Sequence, residues 1–430
     1  MATWIRGGRV VDPVGGTVRK WDIIVDRGRI SEVVPPKTLT APSGPGLKVI
    51  DAAGKLIVPG LIDMHVHLRE PGHEYKETIA TGAMAGVAGG FTGIACMPNT
   101  DPVNDDSSVT QFILRQAQAA NLLRVYPVAC ISRGQKGETL TDFGDLREAG
   151  AVGISDDGLP VVNSDVMRRA MEYAPYHGLK VISHCEDPCL SAGGTMQEGV
   201  VSTQIGLQGI PGESEEIMVY RDIALAKLTG SPVHIAHVST AGSVKLIKQA
   251  KQEGIPVTAE TAPHYFSLDH RAVIGYDTNT KMNPPLRTPE DRDAIKRGLA
   301  EDVIDVIATD HAPHSPLEKE LEFDRAAFGI IGLETALSLT LDLVREGILT
   351  LPKAIRKLSY DPATVLGIRG GAIKKGNAAD LAIIDPDVEY ILDAQDIHSK
   401  SKNSPFIGRR LKGRNMLTMV GGRIVWQRSP

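Results

Sequence analysis

The sequence has few aromatic residues and little net charge, and both shortages exclude classes of protein. Phe, Trp and Tyr make up 4% of the 430 residues, which argues against a surface of rings for stacking nucleic acid bases. The net charge is −5, and the sequence contains no basic patch or polybasic tail. We therefore expect neither nucleic acid nor an anionic membrane surface as a partner.

Cysteine and long apolar runs are also scarce. The four cysteines are scattered and do not form a disulfide framework; Cys185 and Cys189 are close in sequence, but we interpret them as ordinary thiols rather than as metal ligands. The N-terminus has no basic segment followed by an apolar core, so it does not resemble a signal peptide. No stretch approaches the roughly 20 apolar residues of a membrane helix. We expect a cytoplasmic protein.

The two ends of the chain share a strand-rich pattern. Residues 2–58 contain short runs of branched apolar residues separated by glycine turns, with a predicted loop at 41–46. Near the other end, residues 419–426 (MVGGRIVW) are similar to residues 5–12 (IRGGRVVD). Neither end could bury much apolar surface alone. We therefore predict one small β-sandwich domain built from residues 1–58 and 371–430.

Between these ends, residues 59–370 alternate between apolar strand patterns and helical patterns. Thr288-Pro289 is a typical helix start, whereas residues 141–149 give the weakest helical signal. Eight strands with intervening helices indicate an α/β fold, a parallel (β/α)8 TIM barrel. The predicted strands are Ile57–Leu68, Phe91–Asn99, Arg124–Ile131, Val152–Asp157, Lys180–Asp187, Pro232–Ser239, Val257–Tyr265 and Val303–His314.

Five of the predicted barrel strands end in side chains that bind metals. The first strand runs into Asp63–Gly72 (DMHVHLREPG), where His65 and His67 share one face because alternate residues of a strand point the same way. The spacing of His65 and His67 is by itself weak evidence for a metal site. The other strands add a carboxylate or an imidazole each, and these are Asp156 or Asp157, then His184, then His234 or His237, and finally Asp310.

These side chains meet at one rim, because active sites of such barrels lie at the carboxyl ends of the strands. Burying them without a partner would be costly, and a shared metal supplies that partner. Four imidazoles and two carboxylates suit zinc or another divalent ion. Two ions could hold a water as hydroxide near neutral pH. Of the paired candidates, Asp157 and His237 lie nearer the strand ends and are favoured over Asp156 and His234.

Six motifs resemble those of dihydroorotase, in its bacterial zinc-dependent class I type among the cyclic amidohydrolases. The two segments DMHVHLREPG (63–72) and ATDHAPH (308–314) are together highly specific, and the resemblance extends over essentially the whole chain. The motifs are GLIDMHVHLREPG (60–72), ETIATGAMAGVAGGFTGIACMPNT (77–100), SDDG (155–158), HIAHVST (234–240), KMNPPLR (281–287) and ATDHAPHSPLEK (308–319).

The resemblance implies a role for each motif position. His65, His67 and Asp310 would bind one zinc, His184 and His237 a second, and Asp157 would lie between them, giving one or two zinc ions per chain. Asp310 would also be the catalytic proton carrier, acting beside a metal-bound hydroxide. The residues that would hold the substrate are His67, Arg69, Asn99, Asn283, His314, Phe328 and Gly329.

The implied reaction is the reversible cyclisation of N-carbamoyl-L-aspartate to L-dihydroorotate and water in de novo pyrimidine (UMP) biosynthesis. The substrate carboxylate needs a cation, and the planar guanidinium of Arg69 matches it. A homo-oligomer is expected, and association with aspartate transcarbamoylase is possible. Glu318–Glu322 (EKELE) is predicted to be a solvated charge run.

Two alternatives remain open. A hydantoinase or allantoinase would share the fold and the metals, but such relatives commonly bridge the metals with a carbamylated lysine, and the SDDG segment has no lysine. A non-catalytic subunit that supports aspartate transcarbamoylase would have no need for six intact ligands. A zinc-storage role has no support in the residues on the substrate side.

Overall fold

The computed structural model of the protein describes residues 2–36 and 47–428, and the loop predicted at 41–46 lies outside these ranges. Within them, seven short strands precede the central barrel. They are β1 (Thr3–Arg6), β2 (Arg9–Asp12), β3 (Thr17–Lys20), β4 (Asp22–Asp26), β5 (Arg29–Val34), β6 (Lys48–Asp51) and β7 (Leu56–Pro59).

Ten further strands follow, and eight of them form one parallel sheet in sequential order, β8 to β12 and then β15 to β17. A bridge between Val66 and His311 joins the last strand region to the first, so the sheet closes into the predicted (β/α)8 barrel. The ten strands are β8 (Leu61–Val66), β9 (Phe91–Cys96), β10 (Arg124–Ala129), β11 (Gly153–Ile154), β12 (Lys180–Ser183), β13 (Met196–Gln197), β14 (Gly209–Ile210), β15 (Val233–Ile235), β16 (Val257–Thr261) and β17 (Val306–Ile307).

Helices connect the strands on the outside of the barrel. Thr288 caps one of them with Pro289 in its first turn, as predicted, and residues 141–149 contain only a short helix. The α-helices of the described ranges are α1 (Ile79–Gly89), α2 (Ser107–Ala120), α3 (Phe143–Ala149), α4 (Ser164–Tyr173), α5 (Pro188–Ser191), α6 (Val200–Ile205), α7 (Glu213–Thr229), α8 (Ala241–Gln252), α9 (Pro263–Ser267), α10 (Pro289–Ala300), α11 (Pro316–Lys319), α12 (Ala336–Arg345), α13 (Leu351–Lys357) and α14 (Tyr360–Leu366). None of them combines the length and the apolar character required to cross a bilayer.

The chain then returns to the β-rich flank through β18 (Leu381–Ile391), β19 (Arg410–Val420) and β20 (Arg423–Gln427). These strands pair with β7, β2 and β3 in one six-stranded sheet, while β5, β4, β1 and β6 form a second sheet. Apolar side chains from both ends of the sequence, including Ile5, Ile57 and Leu381, form one core between the sheets. The two GGR segments differ in topology, because β1 and β2 lie in different sheets whereas β19 and β20 form one hairpin.

Apolar side chains fill the interior of the barrel, and polar side chains occupy its carboxyl end. Met64, Val128 and Ile182 lie in one buried cluster that also contains Val365 and Leu366 of α14. Several predicted strands are too long at their carboxyl ends; the last one ends at Ile307 rather than His314. Beyond these ends the regular pairing of the barrel strands stops. The polar side chains of these residues turn toward a common centre.

Candidate metal centre and active site

Five barrel strands bring six histidine and aspartate side chains to one end of the barrel. His65 lies within β8 and His67 follows it, while the other four side chains follow β11, β12, β15 and β17, and all six are buried. His237 and Asp310 have positive φ angles of 33° and 50°, as does Arg69 with 63°. This backbone conformation is uncommon for residues other than glycine and is concentrated at functional sites.

The first group of donor atoms consists of His65, His67 and Asp310. Nε2 of His67 lies 3.1 Å from Oδ1 of Asp310, and Nε2 of His65 lies 3.7 Å from the same oxygen. These three residues could hold a metal ion.

The second group consists of His184, His237 and Asp157. Nδ1 of His184 lies 2.8 Å from Nε2 of His237, and both nitrogens lie 3.5 Å from Oδ1 of Asp157. The same oxygen is 3.4 Å from Nε2 of His65, and Oδ2 of Asp157 is 3.5 Å from Nε2 of His67. The Asp157 carboxylate therefore lies between the two groups.

The donor atoms fit a divalent cation. Nε2 of His65 and Oδ1 of Asp157 are buried and have no hydrogen-bond partner in the described protein, which is costly unless an ion binds there. Burial opposes ionisation of Asp157, but the adjoining imidazoles of His65, His184 and His237 hold its pKa well below its ordinary value. Donors about 3–4 Å apart can share one ion at the distances of about 2.0–2.2 Å that zinc prefers.

Three outer groups orient the imidazoles. Glu260 accepts from Nδ1 of His65 at 2.6 Å, and Oδ1 of Asn99 lies 2.8 Å from Nδ1 of His67. Glu186 lies 2.8 Å from Nε2 of His184. Each contact leaves the other ring nitrogen facing the donor groups, which is the usual arrangement around metal-binding histidines.

The sequence left two choices, Asp156 or Asp157 and His234 or His237, and in each pair only one side chain faces the centre. Asp156 turns away from the centre and accepts hydrogen bonds from the backbone of Ile131 and Ser132. His234 contacts Thr258 and Glu260 rather than the six donor atoms. Asp157 and His237 are thus the members of each pair that join the cluster. Cys185 is buried and Cys189 exposed, both as free thiols.

A cavity of about 250 Å³ opens above the cluster. All seven residues predicted to hold the substrate line it, together with Asp157, His184, His237 and Asp310. Arg69 is buried; its Nε donates to the carbonyl of Pro313, and its Nη2 lies 3.2 Å from Nε2 of His314. The cavity therefore combines the Arg69 cation and two amide side chains with the six potential metal ligands, which we call the donor cluster (His65, His67, Asp157, His184, His237 and Asp310). The seven residues are His67, Arg69, Asn99, Asn283, His314, Phe328 and Gly329.

Sequence reasoning missed two carboxylates that support the centre. Glu260 lies within the apolar strand β16, and a charged residue in a buried strand was a signal that could have identified it. Glu186 contacts Nδ2 of Asn283 at 2.7 Å as well as His184, so it joins a donor residue to a cavity residue. The position of Glu186 two residues after His184 was a local signal, whereas its contact with Asn283 spans 97 positions.

Several known proteins are similar to this chain. A family model described as dihydro-orotase-like matches residues 54–243. A protein of Geobacter metallireducens named dihydroorotase is 54% identical over 424 residues, which cover 99% of each chain. A dihydroorotase of Pelotomaculum thermopropionicum is 55% identical over 428 residues, which also cover 99% of each chain.

The chain belongs to the dihydroorotase family.

Solved structures of hydantoinases share the fold of this dihydroorotase family member. The L-hydantoinase of Arthrobacter aurescens superposes with a TM-score of 0.87 at 25% identity, covering 99% of this chain and 96% of its own. The dihydropyrimidinase of Brevibacillus agri gives a TM-score of 0.85 at 23% identity. The predicted fold class and family resemblance are confirmed, and the chain belongs with enzymes that act on cyclic amides.

Proposed function

We propose that this dihydroorotase family member interconverts L-dihydroorotate and N-carbamoyl-L-aspartate as a step of de novo pyrimidine biosynthesis. One observation carries the proposal: the side chain of Asp310 belongs to the donor cluster and also lines the cavity that contains Arg69. A proton carrier and a carboxylate-binding cation therefore face the same space. A cyclic amide with a carboxylate substituent requires both.

Zinc is the metal that this donor set supports best, as one or two ions per chain. His65, His67 and Asp310 would hold one ion, and His184 and His237 the other, with Asp157 between them. When bound, such ions lower the pKa of a water molecule and polarise a carbonyl group. Four imidazole nitrogens and two carboxylates favour zinc over the hard cations that prefer oxygen ligands.

Asp310 moves the proton. In ring opening, the oxygen of water forms a bond with the carbonyl carbon next to the ring CH2 group, and the bond from that carbon to the adjacent ring nitrogen breaks, while the other carbonyl stays in the carbamoyl group. The Asp310 carboxylate takes the proton from the water and gives it to the leaving nitrogen. Ring closure uses the same carboxylate in the opposite order and releases water. Nε2 of His67 lies 3.1 Å from Oδ1 of Asp310, so the ion that both side chains would bind would also fix the position of this carboxylate.

The remaining cavity residues hold the substrate. Arg69 offers its guanidinium to the substrate carboxylate, and its contacts with Pro313 and His314 fix the direction of the group. Asn99, Asn283 and His314 add hydrogen-bonding groups. Phe328 and Gly329 form the part of the wall that comes from the loop after α11.

The wider properties of the protein are proposed on the same basis. We place the domain boundaries at residues 58 and 370, with a β-sandwich built from both ends and a barrel between them. We also expect a homo-oligomer in the cytoplasm. The intact donor set favours an active enzyme over a subunit that only supports aspartate transcarbamoylase, and an active enzyme could still associate with that partner.

The test measures ring opening of dihydroorotate and zinc content on the same purified sample, with an Asp310→Asn variant alongside. We expect activity in the zinc-bound protein and a loss of at least about 100-fold in the variant, the usual scale for a proton-transfer group. Full metal occupancy without turnover of dihydroorotate would contradict the proposed substrate. Hydantoin and allantoin, tested on that same sample, would then identify the alternative cyclic amidohydrolase.

A further inference from the structure

The loop after α11 contributes to the cavity although it has no regular secondary structure. Residues 320–329 contain neither helix nor strand, and their last two members, Phe328 and Gly329, line the cavity. Backbone carbonyls in such a segment cannot pair within a helix or a sheet, so they need other donors. Two buried lysines supply these donors.

Lys319 is the first of them. Its side chain was predicted to be solvated, and this prediction is wrong, because Lys319 is only 5% exposed. Its Nζ donates to the carbonyls of Ala327 at 2.8 Å, Gly329 at 3.1 Å and Lys281 at 3.3 Å. An ammonium group has three N–H donors, so these three carbonyls use all of them.

Lys281 is the second and is 2% exposed. Its Nζ donates to the carbonyls of Phe323 at 2.8 Å and Asp324 at 3.0 Å, and it lies 4.4 Å from the centre of the Phe328 ring. Its own carbonyl accepts from the backbone N–H of Gly329 at 3.0 Å. The two lysines thus bind the middle and the C-terminal end of the loop to the segment that leads into Asn283.

We propose that Lys319 and Lys281 are positioning residues that hold the loop of residues 320–329 against the segment around Asn283 and so place Phe328 and Gly329 in the substrate cavity. This inference rests on the proposed function, because it assigns the loop a role in substrate binding. Neither lysine touches the donor cluster, and neither is a catalytic residue.

The chemistry of the two side chains argues against simple space filling. Burying an ammonium group costs free energy unless hydrogen bonds compensate for the lost water. Within the described ranges, neither lysine forms an ion pair with a carboxylate, so backbone carbonyls supply all the hydrogen bonds that their Nζ atoms make. Methionine would fill a similar volume without this cost. The lysines therefore donate hydrogen bonds to the backbone carbonyls of the loop and so stabilise the loop conformation.

The test compares Lys319→Met and Lys281→Met with Lys357→Met as a matched control. Lys357 is another buried lysine, 1% exposed, but its Nζ donates to the carbonyl of Ile304 and to Asp302, ahead of the barrel strand β17 and away from the cavity. Each variant is measured for zinc content, for KM and kcat with dihydroorotate, and for amide hydrogen exchange of residues 320–330 without substrate.

We expect both loop variants to retain zinc, to raise KM about tenfold with kcat changed less than about threefold, and to speed exchange of the Gly329 amide about tenfold, the scale of one lost hydrogen bond. Lys357→Met should change neither KM nor this exchange rate. If Lys319→Met does not fold, Lys319→Gln, which keeps two N–H donors, provides the same comparison with a smaller effect.

The proposal is overturned if folded, zinc-containing loop variants keep the wild-type KM and exchange rate, or if Lys357→Met shows the same changes. A loss confined to kcat would also overturn it. The exchange measurement needs no turnover. A wild-type protein inactive on dihydroorotate would therefore contradict the proposed function alone, while the exchange rates would still decide whether the lysines hold the loop.

Discussion

Oε1 of Glu260 lies 2.6 Å from Nδ1 of His65, and this contact leaves Nε2 of the same ring facing Asp157. Burial disfavours the ionised form of Glu260, but the neighbouring His65 and His234 lower its pKa. A carboxylate behind a histidine fixes the ring and raises its basicity as a ligand. Glu260 therefore holds the His65 ring with Nε2 facing the other donor atoms.

A Glu260→Gln variant should bind zinc about 10–100-fold more weakly than the wild type, because the amide keeps the shape of the contact but not its charge. Competition with chelators of graded strength would measure the affinity. Glu253→Gln is the control, since Glu253 is exposed at the end of a helix and pairs with Lys227. Equal zinc affinity in all three proteins would contradict the role of Glu260.

An Arg69→Lys variant should raise KM for dihydroorotate at least about tenfold. Lysine keeps the charge but loses the planar pair of donors that matches a carboxylate. Steady-state kinetics at constant zinc would measure the change. Arg6→Lys, at an exposed arginine of the β-sandwich that lies 4.0 Å from Asp51, should leave KM unchanged. An unchanged KM in Arg69→Lys would show that the substrate carboxylate binds elsewhere.

Zinc removal should lower the stability of the folded protein. An ion that binds only the native state adds about 2.7 kcal/mol per site at a concentration 100 times its Kd. Thermal unfolding of the metal-free protein, with and without added zinc, would measure the difference. Magnesium is the control, because it prefers oxygen ligands in octahedral geometry and the cluster offers four imidazoles. Equal stabilisation by both ions would argue against the proposed donor set.

His264 should make the protein less stable in acid. Burial lowers the pKa of His264 from 6.5 to about 4 in the folded protein. The unfolded chain therefore binds this proton more readily, and the free energy of unfolding falls as the pH drops below 6.5. The loss reaches roughly 3 kcal/mol at pH 4.

Urea unfolding of the metal-free protein between pH 4 and pH 7 would test this effect. A His264→Gln variant cannot take up the proton, so its stability should fall less steeply than that of the wild type over this range. Parallel curves for the two proteins would show that His264 takes up its proton equally well in both states.

The sequence was sufficient for the barrel and for the composition of the donor cluster, because both follow from short-range patterns. Apolar strands show in runs of branched residues, and a histidine or aspartate directly after such a run lies at the barrel rim. This reasoning reached His184 and Asp310 without any structure. It also favoured Asp157 over Asp156, from its place nearer the strand end.

The supporting contacts could not be predicted in this way. Glu186 meets Asn283 across 97 positions, and Lys319 meets Lys281 across 38. A charged residue in a charge run is normally solvated, and only the packing of an irregular loop shows that Lys319 is an exception. The ends of the strands were misjudged for a related reason: polar residues there leave the ladder to meet distant partners.

The barrel closes where the first and last strands meet, and the same seam carries part of the donor cluster. The backbone N–H of His67 donates to the carbonyl of His311, and the His67 side chain meets Asp310 across 243 positions. In a chain emerging from the ribosome, Asp310 appears 243 residues later than His67. Contacts of such long range form slowly, since the intervening chain must first be ordered. Ion capture should therefore be a late event in biogenesis, and shorter nascent chains should lack the complete set of donors.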